Sequence, residues 1–403
     1  MKYLNAKDCL PEELLEKIME HVEGTYIYIP KKEESKKQWG NETNFRKEME
    51  IRNQNIFEHF LIGMPYEQIA EMYHLSEKSI RRIVLEERKK SEMEKAHIHE
   101  VLQKYECLHT HNTESEAYPT EIKQIYTSAW EVAGEFVLKK YENKKELVNN
   151  VKMLTVLGKE KIPVPQIVKT TEQKDYVEDE NRYWLLTTKL KGSNIVNMSS
   201  CDKEWFVQMG RIIANLHKAF KKCEDEIEYW NNSLLGEMES WVSDNLLKQE
   251  QDYLSREEIV NTIDELRKVD KELPRSLIHR DVHLGNFLFD GGKFSGYIDF
   301  DLSQKNIRIF DLCYFLLGLL LEEEENKVSE ERWLQIVRYI INGYDSEMNL
   351  SEVEKKSIPI VMKNIELLFV GYFIGEKDEV AARESAKLFY FVKENEGNLA
   401  SVL

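Results

Sequence analysis

The first part of the chain places its hydrophobic residues at helical spacing. Between residues 65 and 90 they include Ile69, Ile80 and Ile83, with polar residues at the intervening positions. This pattern predicts two short helices joined by a tight turn. We therefore expect a small all-α domain with a helix-turn-helix in residues 1–95.

The hydrophobic period changes twice after this domain. Residues 96–117 are polar and lose their period, which is typical of a linker. Residues 118–191 alternate apolar and polar positions as paired strands do, apart from one helical run, "NKKELVNNVKMLTVL". Residues 192–403 are mainly helical. The pattern predicts an α+β protein in which a β-rich lobe precedes a larger helical lobe.

Composition and charge limit the possible classes of function. Hydrophobic residues make up 42% of the chain and charged residues 32%, as in ordinary globular proteins. The net charge is −17, and residues 101–403 carry 39 Lys and Arg against 53 Asp and Glu. This acidic part would repel nucleic acid and attract cationic small molecules, although a solvated acidic surface without a partner is an alternative.

Cysteine usage and hydropathy indicate the compartment. The five cysteines are scattered and show no CxxC spacing, so we expect neither disulfides nor a zinc site. The longest apolar run, "CYFLLGLLL", is too short to cross a bilayer, and the first residues have no apolar core of signal-peptide length. We expect a cytoplasmic protein without a membrane partner.

Polar chemistry is concentrated in "LIHRDVHLGNFLF", a stretch with apolar flanks. Asp281 and Asn286 lie five residues apart in it, and Asp299 follows 13 residues after Asn286. The oxygen ligands of Asn286 and Asp299 suit Mg²⁺, a hard cation that binds few protein groups and completes its shell with phosphate oxygens. Asp281 would then accept a hydrogen bond from an attacking hydroxyl. This arrangement is the one that phosphoryl transfer requires.

The motifs "HRDVHLGN" and "IDFD" resemble those of aminoglycoside phosphotransferase-like and choline-kinase-like enzymes. The resemblance implies a protein-kinase-like bilobal fold, Mg²⁺ as cofactor, ATP or GTP as phosphate donor and a small-molecule hydroxyl as acceptor. It implies catalysis by Asp281 and metal binding by Asn286 and Asp299. Protein kinases usually have a lysine where His283 stands, and their DFG glycine is replaced by Asp301, which favours the small-molecule kinases.

The resemblance extends to the predicted nucleotide site. "GEFVLKKY" resembles the strand whose lysine holds the nucleotide phosphates, which maps to Lys139, with Lys140 on the opposite face of the strand as the alternative. "YWLLTTKLKGSNI" resembles the hinge whose backbone binds the purine, and the predicted nucleotide-binding residues there are Thr188, Lys189 and Leu190. In "MGRIIANLHKAF" the resemblance implies packing for Leu216 and His217.

Two positions depart from the family pattern. Asn150 stands where a glutamate should pair with Lys139, and Trp130 aligns with a phosphate-covering loop. They motivate an alternative function, a transcription regulator whose kinase-like part senses a ligand without catalysis. Asp311 either positions a substrate amine or begins a helix, Asp301 is either an extra metal ligand or solvated, and His279 bonds the loop backbone.

The helix-turn-helix carries a local positive charge. Residues 76–90 hold six basic against three acidic residues, and Lys78, Arg81 and Arg82 fall on the face opposite the apolar one. The first domain resembles the Mor-type transcription activator domain, which implies duplex DNA as a partner of residues 65–90. The predicted DNA-binding residues are Lys78, Ser79, Arg81 and Arg82. A dimer or scaffold module is the alternative.

Overall fold

The structure is a computed structural model of the 403-residue chain. It describes residues 52–57, 59–60, 63–73, 75–105, 121–126, 128–179, 182–194, 198, 201–228, 232–248, 251–321 and 328–403. The chain forms two compact units, Met1–Ala96 and His97–Leu403. The segment "LPEELLEKIMEHVEGTYIYIPKKEESKKQWG" and His74 in the helix turn lie outside the described residues.

A helix-turn-helix forms the described part of the first unit. Helix α1, Tyr66–Met72, is followed by a short turn and by α2, Glu77–Leu102. Ile69 of α1 packs against Ile80 and Ile83 of α2, and all three are almost completely buried. The predicted helix pair and its apolar face are confirmed, because the period of 3.6 residues places these side chains on facing stripes.

The end of α2 belongs to the second unit. Ile98, Val101 and Leu102, together with Tyr105 just beyond the helix, are buried against the sheet of that unit. The Tyr105 hydroxyl donates to the Trp184 carbonyl oxygen at 3.2 Å. The first ten residues of the predicted 96–117 linker are therefore helix and core, because their apolar side chains cover one face of the sheet; residues 106–117 lie outside the described residues.

An antiparallel sheet of five strands forms the smaller lobe of the second unit. Its spatial order is β1-β2-β3-β5-β4. The strands are Ile122–Tyr126, Ala129–Val132, Phe136–Tyr141, Val177–Asp179 and Arg182–Thr188, and helix α3, Lys144–Lys159, lies between β3 and β4 in the chain. The alternating pattern predicted paired strands in this region, and β1, β2 and β3 form there.

The register of this sheet separates its two faces. Leu138 of β3 lies opposite Trp130 of β2 and Leu186 of β5, and all three are buried on the face that the end of α2 covers. Lys139 lies opposite Ala129 and Leu185 and therefore points to the other face.

The helical lobe contains two small antiparallel sheets of two strands each. β6, Arg275–Ile278, pairs with β9, Gln304–Ile307, and β7, Phe287–Asp290, pairs with β8, Lys293–Tyr297. The helices of this lobe are α4 Lys203–Cys223, α5 Leu234–Glu237, α6 Ser243–Lys248, α7 Arg256–Val269, α8 Ile309–Gly318, α9 Glu330–Glu347, α10 Glu352–Glu376, α11 Glu379–Glu394 and α12 Glu396–Val402. A small sheet-rich lobe followed by a large helical lobe is the predicted α+β architecture.

Helix α10 is the central helix of the larger lobe. It is long and apolar enough to cross a membrane by length and composition alone, but 67% of its most apolar window is buried inside the protein. A capping box formed by Ser351 and Glu354 fixes its beginning. Burial of this kind is what a core helix requires.

Candidate active site

A loop of eight residues, 279–286, joins β6 to β7 and carries most of the polar chemistry; we call it the polar loop. Asp281 accepts a hydrogen bond from the Tyr314 hydroxyl at 3.0 Å and another from Asn286 Nδ2, also at 3.0 Å. Burial raises the pKa of Asp281, but hydrogen bonds and charge from His283, with help from Tyr314, outweigh it and lower the pKa overall. Asp281 is therefore a carboxylate at neutral pH, as a hydrogen-bond acceptor for a hydroxyl must be.

Asp311, in the first turn of α8, holds the beginning of the polar loop. Its carboxylate accepts hydrogen bonds from the backbone amides of His279, at 2.8 Å, and Arg280, at 2.9 Å, and from His217 Nε2 at 2.9 Å. The side chain is completely buried. The interpretation of Asp311 as a contact for a substrate amine is therefore wrong, because solvent and ligand cannot reach it.

His217 does more than pack. Its Nδ1 lies 2.9 Å from the Tyr344 hydroxyl while Nε2 faces Asp311, so the ring connects α9 to the carboxylate that holds the polar loop. His279 is also buried, with Nε2 3.1 Å from the Ile298 carbonyl oxygen. Burial lowers the pKa of His279, so the ring is neutral; it bonds backbone as predicted, but that of Ile298 and not that of the polar loop.

Asn286 and Asp299 are connected through the backbone. The Ile298 amide donates to the Asn286 carbonyl oxygen at 3.1 Å, which places Asp299 directly after a residue bonded to Asn286. Asn286 Nδ2 donates to the backbone and side-chain oxygens of Asp281, so its amide oxygen faces away from Asp281. Asp299 has a left-handed backbone, with φ of 62°, and its side chain is 46% exposed.

Lys139 reaches the same place from the smaller lobe. Its Nζ lies 2.8 Å from Asp299 Oδ1 and also pairs with Asp301. Burial lowers the pKa of Lys139, but Asp301 and Asp299 outweigh it, so the pKa is raised and the ammonium stays charged. Lys140 lies on the other face of the strand, with its Nζ 5.7 Å from the centre of the Trp130 ring. The structure thus brings Lys139, and not Lys140, to the carboxylates.

Asn150 of α3 takes part in this cluster without contacting Lys139. Its Nδ2 donates to Asp301 Oδ1 at 2.8 Å and lies 2.5 Å from the Tyr141 hydroxyl, which donates to the same Asp301 oxygen at 3.1 Å. Burial and then the Asp301 charge raise the pKa of Tyr141, which keeps its hydroxyl protonated. The role that the family pattern gives to a glutamate on α3 is thus taken by Asp301 and Asp299, which pair with Lys139 directly.

Trp130 does not lie in a loop over the phosphates. It is in β2, 2% exposed, with its ring centre 5.8 Å from that of Trp184. The interpretation that placed it in the phosphate-covering loop is wrong, because the turn between β1 and β2 ends before Ala129 and Trp130 already belongs to the sheet core.

The predicted purine-binding segment follows β5. The Thr188 amide donates to the Gln166 carbonyl oxygen at 2.8 Å and the Lys189 amide to that of Glu135 at 2.7 Å. Both amides are therefore engaged within the protein. A purine bound here would have to use the Leu190 amide or carbonyl oxygens of this segment.

The donor set fits a hard divalent cation only if a ligand completes it. Among the described residues there is no group of three or more His, Cys, Asp or Glu side chains arranged to hold a metal ion. Asn286 and Asp299 supply one amide and one carboxylate oxygen, with Asp301 beside them. Such a set suits Mg²⁺ carrying phosphate oxygens and water.

Two residues of the site carried no recognisable signal in the sequence. Tyr314 bonds Asp281, and Glu237 accepts a hydrogen bond from Arg280 at 2.9 Å, which together with stacking on Phe310 fixes the arginine of the polar loop. Tyr314 and Glu237 come from separate helices, so only the folded structure places them.

A cleft of about 840 Å³ opens beside Asp281. Its lining is rich in acidic and aromatic side chains, which include Glu146, Glu228, Glu237, Asp281, Asp301, Trp241, Tyr314, Phe369 and Tyr372. The volume is that of a small-molecule site. Asp281 is one of the residues that line this cleft, so a hydroxyl bound there would lie near its carboxylate.

The four predicted DNA-binding residues lie near the beginning of α2. Lys78, Arg81 and Arg82 are exposed, whereas Ser79 is half-buried and its amide donates to the Ser76 hydroxyl, which caps the helix. Arg81 stacks on Tyr66 at 4.3 Å. Arg81 and Arg82 also form long ion pairs of 3.4 Å with glutamates one turn away on the same helix.

The bilobal fold and the gathered Lys, Asp and Asn side chains define a kinase-like phosphotransferase. The phosphotransferase enzyme family (APH) matches residues 124–347, more than half of the chain, and the protein belongs to that family. The Mor transcription activator family matches residues 5–99, so a Mor-type domain precedes the phosphotransferase part.

Two curated proteins illustrate these matches. Uncharacterized protein YraL of Bacillus subtilis (strain 168) is 40% identical over 84 residues, which are 21% of this chain and 97% of YraL. Homoserine kinase of Zymomonas mobilis subsp. mobilis is 24% identical over 245 residues, which are 58% of this chain and 72% of that enzyme.

Solved structures share the fold. Amicoumacin kinase hAmiN, in complex with AMP-PNP, Ca²⁺ and Ami, has a TM-score of 0.54 and 18% identity, covering 69% of this chain and 89% of its own. The GDP complex of wild-type aminoglycoside 2'-phosphotransferase-IIIa has a TM-score of 0.51 and 16% identity, covering 70% and 94%. At these identities the likeness establishes the kinase-like fold alone.

Proposed function

We propose that the second unit transfers the γ-phosphate of ATP or GTP, with Mg²⁺, to a hydroxyl of a small molecule. The observation that carries the proposal is the continuous set of contacts from Asp281 through Asn286 to Asp299 and Lys139. Two lobes contribute to it, and the acceptor cleft opens beside Asp281. Phosphoryl transfer depends mainly on positioning and charge neutralisation, which such a set supplies.

Each residue has a distinct task in this proposal. Asp281, kept ionised by His283 and Tyr314, orients the acceptor hydroxyl and accepts its proton. Lys139 binds phosphate oxygens in place of one of its two carboxylate partners. Asn286 and Asp299 hold the metal ion, which neutralises charge on the phosphates.

We further propose that the acceptor carries an amine. Five acidic side chains line the cleft, against Lys145 and Arg280 as its basic ones, and Arg280 is already paired with Glu237. Relatives named homoserine kinase act, by that name, on homoserine, a small amino acid with a hydroxyl group, and its amine is compatible with such a lining. The comparison favours a compact amino-alcohol over a large sugar as the first acceptor to try.

The test is a transfer assay with labelled ATP or GTP, Mg²⁺ and a panel of amino-alcohols that includes homoserine. Asp281→Asn should reduce the transfer rate by about 10³-fold or more while nucleotide affinity stays within about twofold, because the acid contacts the acceptor and not the nucleotide. Asp290→Asn, which changes an exposed carboxylate at the end of β7, is the control and should keep full activity. Full turnover by the Asp281 variant would remove this residue from the mechanism.

The ligand-sensing regulator remains a second candidate because of one observation. Lys139 is already paired with both Asp299 and Asp301, an arrangement that phosphates must disrupt. If no acceptor in the panel is phosphorylated with either nucleotide, while ligands still bind the cleft, the sensor is the better explanation.

We propose that the first unit binds duplex DNA through the exposed basic residues at the start of α2. Its support is the match to the Mor transcription activator family and the exposure of Lys78 and Arg82. The protein would then work in the cytoplasm, with the acidic phosphotransferase part kept away from DNA by its own charge.

A further inference from the structure

Glu366, in the middle of α10, is a buried carboxyl group with no partner among the residues that the structure describes. It is 3% exposed, and within the described part of the chain it forms no hydrogen bond or ion pair. Other buried charged side chains of the same helix are paired: Glu354 binds Arg308, and Lys363 binds Glu265. The lack of a partner at Glu366 is therefore specific to this position and calls for an explanation.

Glu366 lines a cavity of about 420 Å³ beside the acceptor cleft, and Tyr314 and Phe369 border both. The walls come from the polar loop, α8, α10 and α11 and are mainly apolar: His283, Leu284, Gly285, Tyr314, Phe315, Leu317, Gly318, Leu319, Leu321, Ile365, Phe369, Phe373 and Ser385. The volume is within the range of small-molecule sites. Because Glu366 is the acidic group in a mainly apolar wall, a ligand for this cavity must carry a positive group, and that group must lie beside Glu366.

Three aromatic rings form a row along one wall of this cavity. The ring centres of Tyr314 and Phe369 are 5.9 Å apart, and those of Phe369 and Phe373 are 6.2 Å apart, with nearly parallel planes. Aromatic faces attract cations and also pack against apolar groups. The wall therefore suits a ligand that combines a positive charge with a hydrophobic body.

We propose that this cavity is a binding site for a small organic ammonium ion. The ammonium group would pair with the carboxylate of Glu366, and the apolar body would lie along Tyr314, Phe369 and Phe373. Burial favours the protonated carboxyl of Glu366, so pairing with the ammonium group would release that proton to solvent. A neutral apolar molecule would leave the carboxyl unpaired. The ion pair that forms inside the cavity explains why an acid is kept there.

The site is connected to the catalytic acid through Tyr314 and through His283, whose Nε2 lies 3.5 Å from Asp281 Oδ2. Tyr314 borders both cavities, and its hydroxyl donates to Asp281 at 3.0 Å. Two sources of the ammonium group are compatible with this position: the amine of the phosphate acceptor itself, or a second molecule that binds beside it. Either source would influence the orientation of Tyr314 and hence of Asp281.

Calorimetric titration with 2-phenylethylamine and with 2-phenylethanol tests the proposal, because the two probes differ only in the charged group. The full-length protein should bind the amine at least about tenfold more tightly than the alcohol, and Glu366→Gln should remove that difference. The titration contains no nucleotide, so its outcome is independent of whether the protein transfers phosphate.

A second variant keeps the test interpretable if Glu366→Gln fails to fold. A Cβ added at Gly318, which lines the cavity, would meet no atom within 4 Å, so Gly318→Leu should fold and fill part of the space. It should weaken amine binding at least about tenfold while leaving Glu366 in place. Glu376→Gln, at the exposed end of α10, is the matched control and should bind like the unchanged protein.

The source of the amine is distinguished in the transfer assay. If 2-phenylethylamine competes with the amino-alcohol acceptor, the site holds the amine of the acceptor; if it leaves the acceptor KM unchanged while still binding, the site takes a second molecule. Both outcomes support an ammonium site. Equal affinity for the amine and the alcohol, or undiminished amine binding by both Glu366→Gln and Gly318→Leu, would overturn it.

Discussion

At the residue scale, one buried carboxylate orders the backbone that presents the reactive one. Asp311 accepts two amides of the polar loop and one imidazole nitrogen, so each of its oxygens is satisfied without solvent. Arg280 directly precedes Asp281, and its amide is one of the two that Asp311 holds. Its backbone φ is 74°, a value that costs energy for a residue with a side chain. Charge-assisted hydrogen bonds to Asp311 are strong enough to offset that strain.

Glu366 leads to a prediction on stability. Burial raises its pKa to about 8, and the cavity walls facing it contribute His283 and Tyr314 as further titratable groups. Since the folded state keeps a proton that the unfolded chain releases near pH 4.5, stability should fall as pH rises toward 8. The loss is up to about 1.4 kcal/mol per pH unit over this window.

The Glu366→Gln variant has no carboxyl proton to lose, so its stability should not fall in this way as the pH rises. Urea unfolding at pH 5, 7 and 9 should therefore show the variant increasingly more stable than the unchanged protein, by roughly 4 kcal/mol at the highest pH. Glu376→Gln should show no such trend. A constant difference across the three pH values would mean that Glu366 is ionised in the folded state throughout.

The predictions for single residues were correct where the local hydrophobic period determines which face a side chain lies on. Alternation along β3 separates Lys139 from Lys140, and the structure places them on opposite faces. Trp130 was misplaced because the number of residues in the preceding turn cannot be deduced from alternation, and an error of one or two residues moves a side chain from loop to core. Asp301, one of the two partners of Asn150, comes from 151 residues away, and no local pattern encodes that contact.

At the element scale, two glycines let helices α4 and α9 approach closely. A Cβ at Gly210 would collide with the backbone of Ile340, and a Cβ at Gly343 would collide with the Val207 carbonyl oxygen. Each glycine thus faces the backbone of the other helix. This contact also sets the distance at which Tyr344 of α9 reaches His217 of α4.

Gly343→Ala should therefore destabilise the protein by about 1–3 kcal/mol, because the two backbones must separate. Gly397→Ala is the control: its Cβ would meet no atom within 4 Å, and a helical alanine should be neutral or stabilising by about 0.5–1 kcal/mol. Thermal unfolding of the two variants checks this contrast. Equal melting temperatures would show that α4 and α9 adjust without cost.

The sequence predicted the positions of the helices and strands better than it predicted the segments that connect them. The helical period of α3 and the apolar faces of α1 and α2 were evident, because amphipathic stripes encode burial directly. The supposed linker failed at its first ten residues. Four apolar residues of "HIHEVLQKY" do stand at helical spacing, but the sheet that they cover is formed later in the chain, so their core role cannot be seen locally.

At the scale of the whole molecule, charge divides between the parts of the chain. Residues 76–90 have an excess of three basic residues, while residues 101–403 carry an excess of 14 acidic ones. The two sets of charges suit opposite partners, an anionic polymer for the first and small cations for the second. The uneven distribution is visible in the sequence, but the exposure of each basic side chain needed the structure.

Lys78→Gln and Arg82→Gln should each weaken binding of a mixed-sequence duplex and reduce the slope of log affinity against log salt by about one. Arg82 is 69% exposed, so a phosphate can replace its long ion pair with Glu86. Fluorescence anisotropy between about 50 and 200 mM salt measures the slope. Lys123→Gln, an exposed lysine of β1, is the control, and a salt-independent signal would contradict DNA binding.

The contact between Tyr105 and Trp184 determines where the phosphotransferase part can be cut away from the rest. The family match begins at residue 124, but a chain shortened to that point would lose Ile98, Val101, Leu102 and Tyr105 and uncover Trp130 and Trp184. Such a fragment would expose an aromatic surface to solvent, and it would precipitate or self-associate. The smallest kinase fragment that we expect to fold alone therefore begins near His97, well before residue 124, where the family match begins.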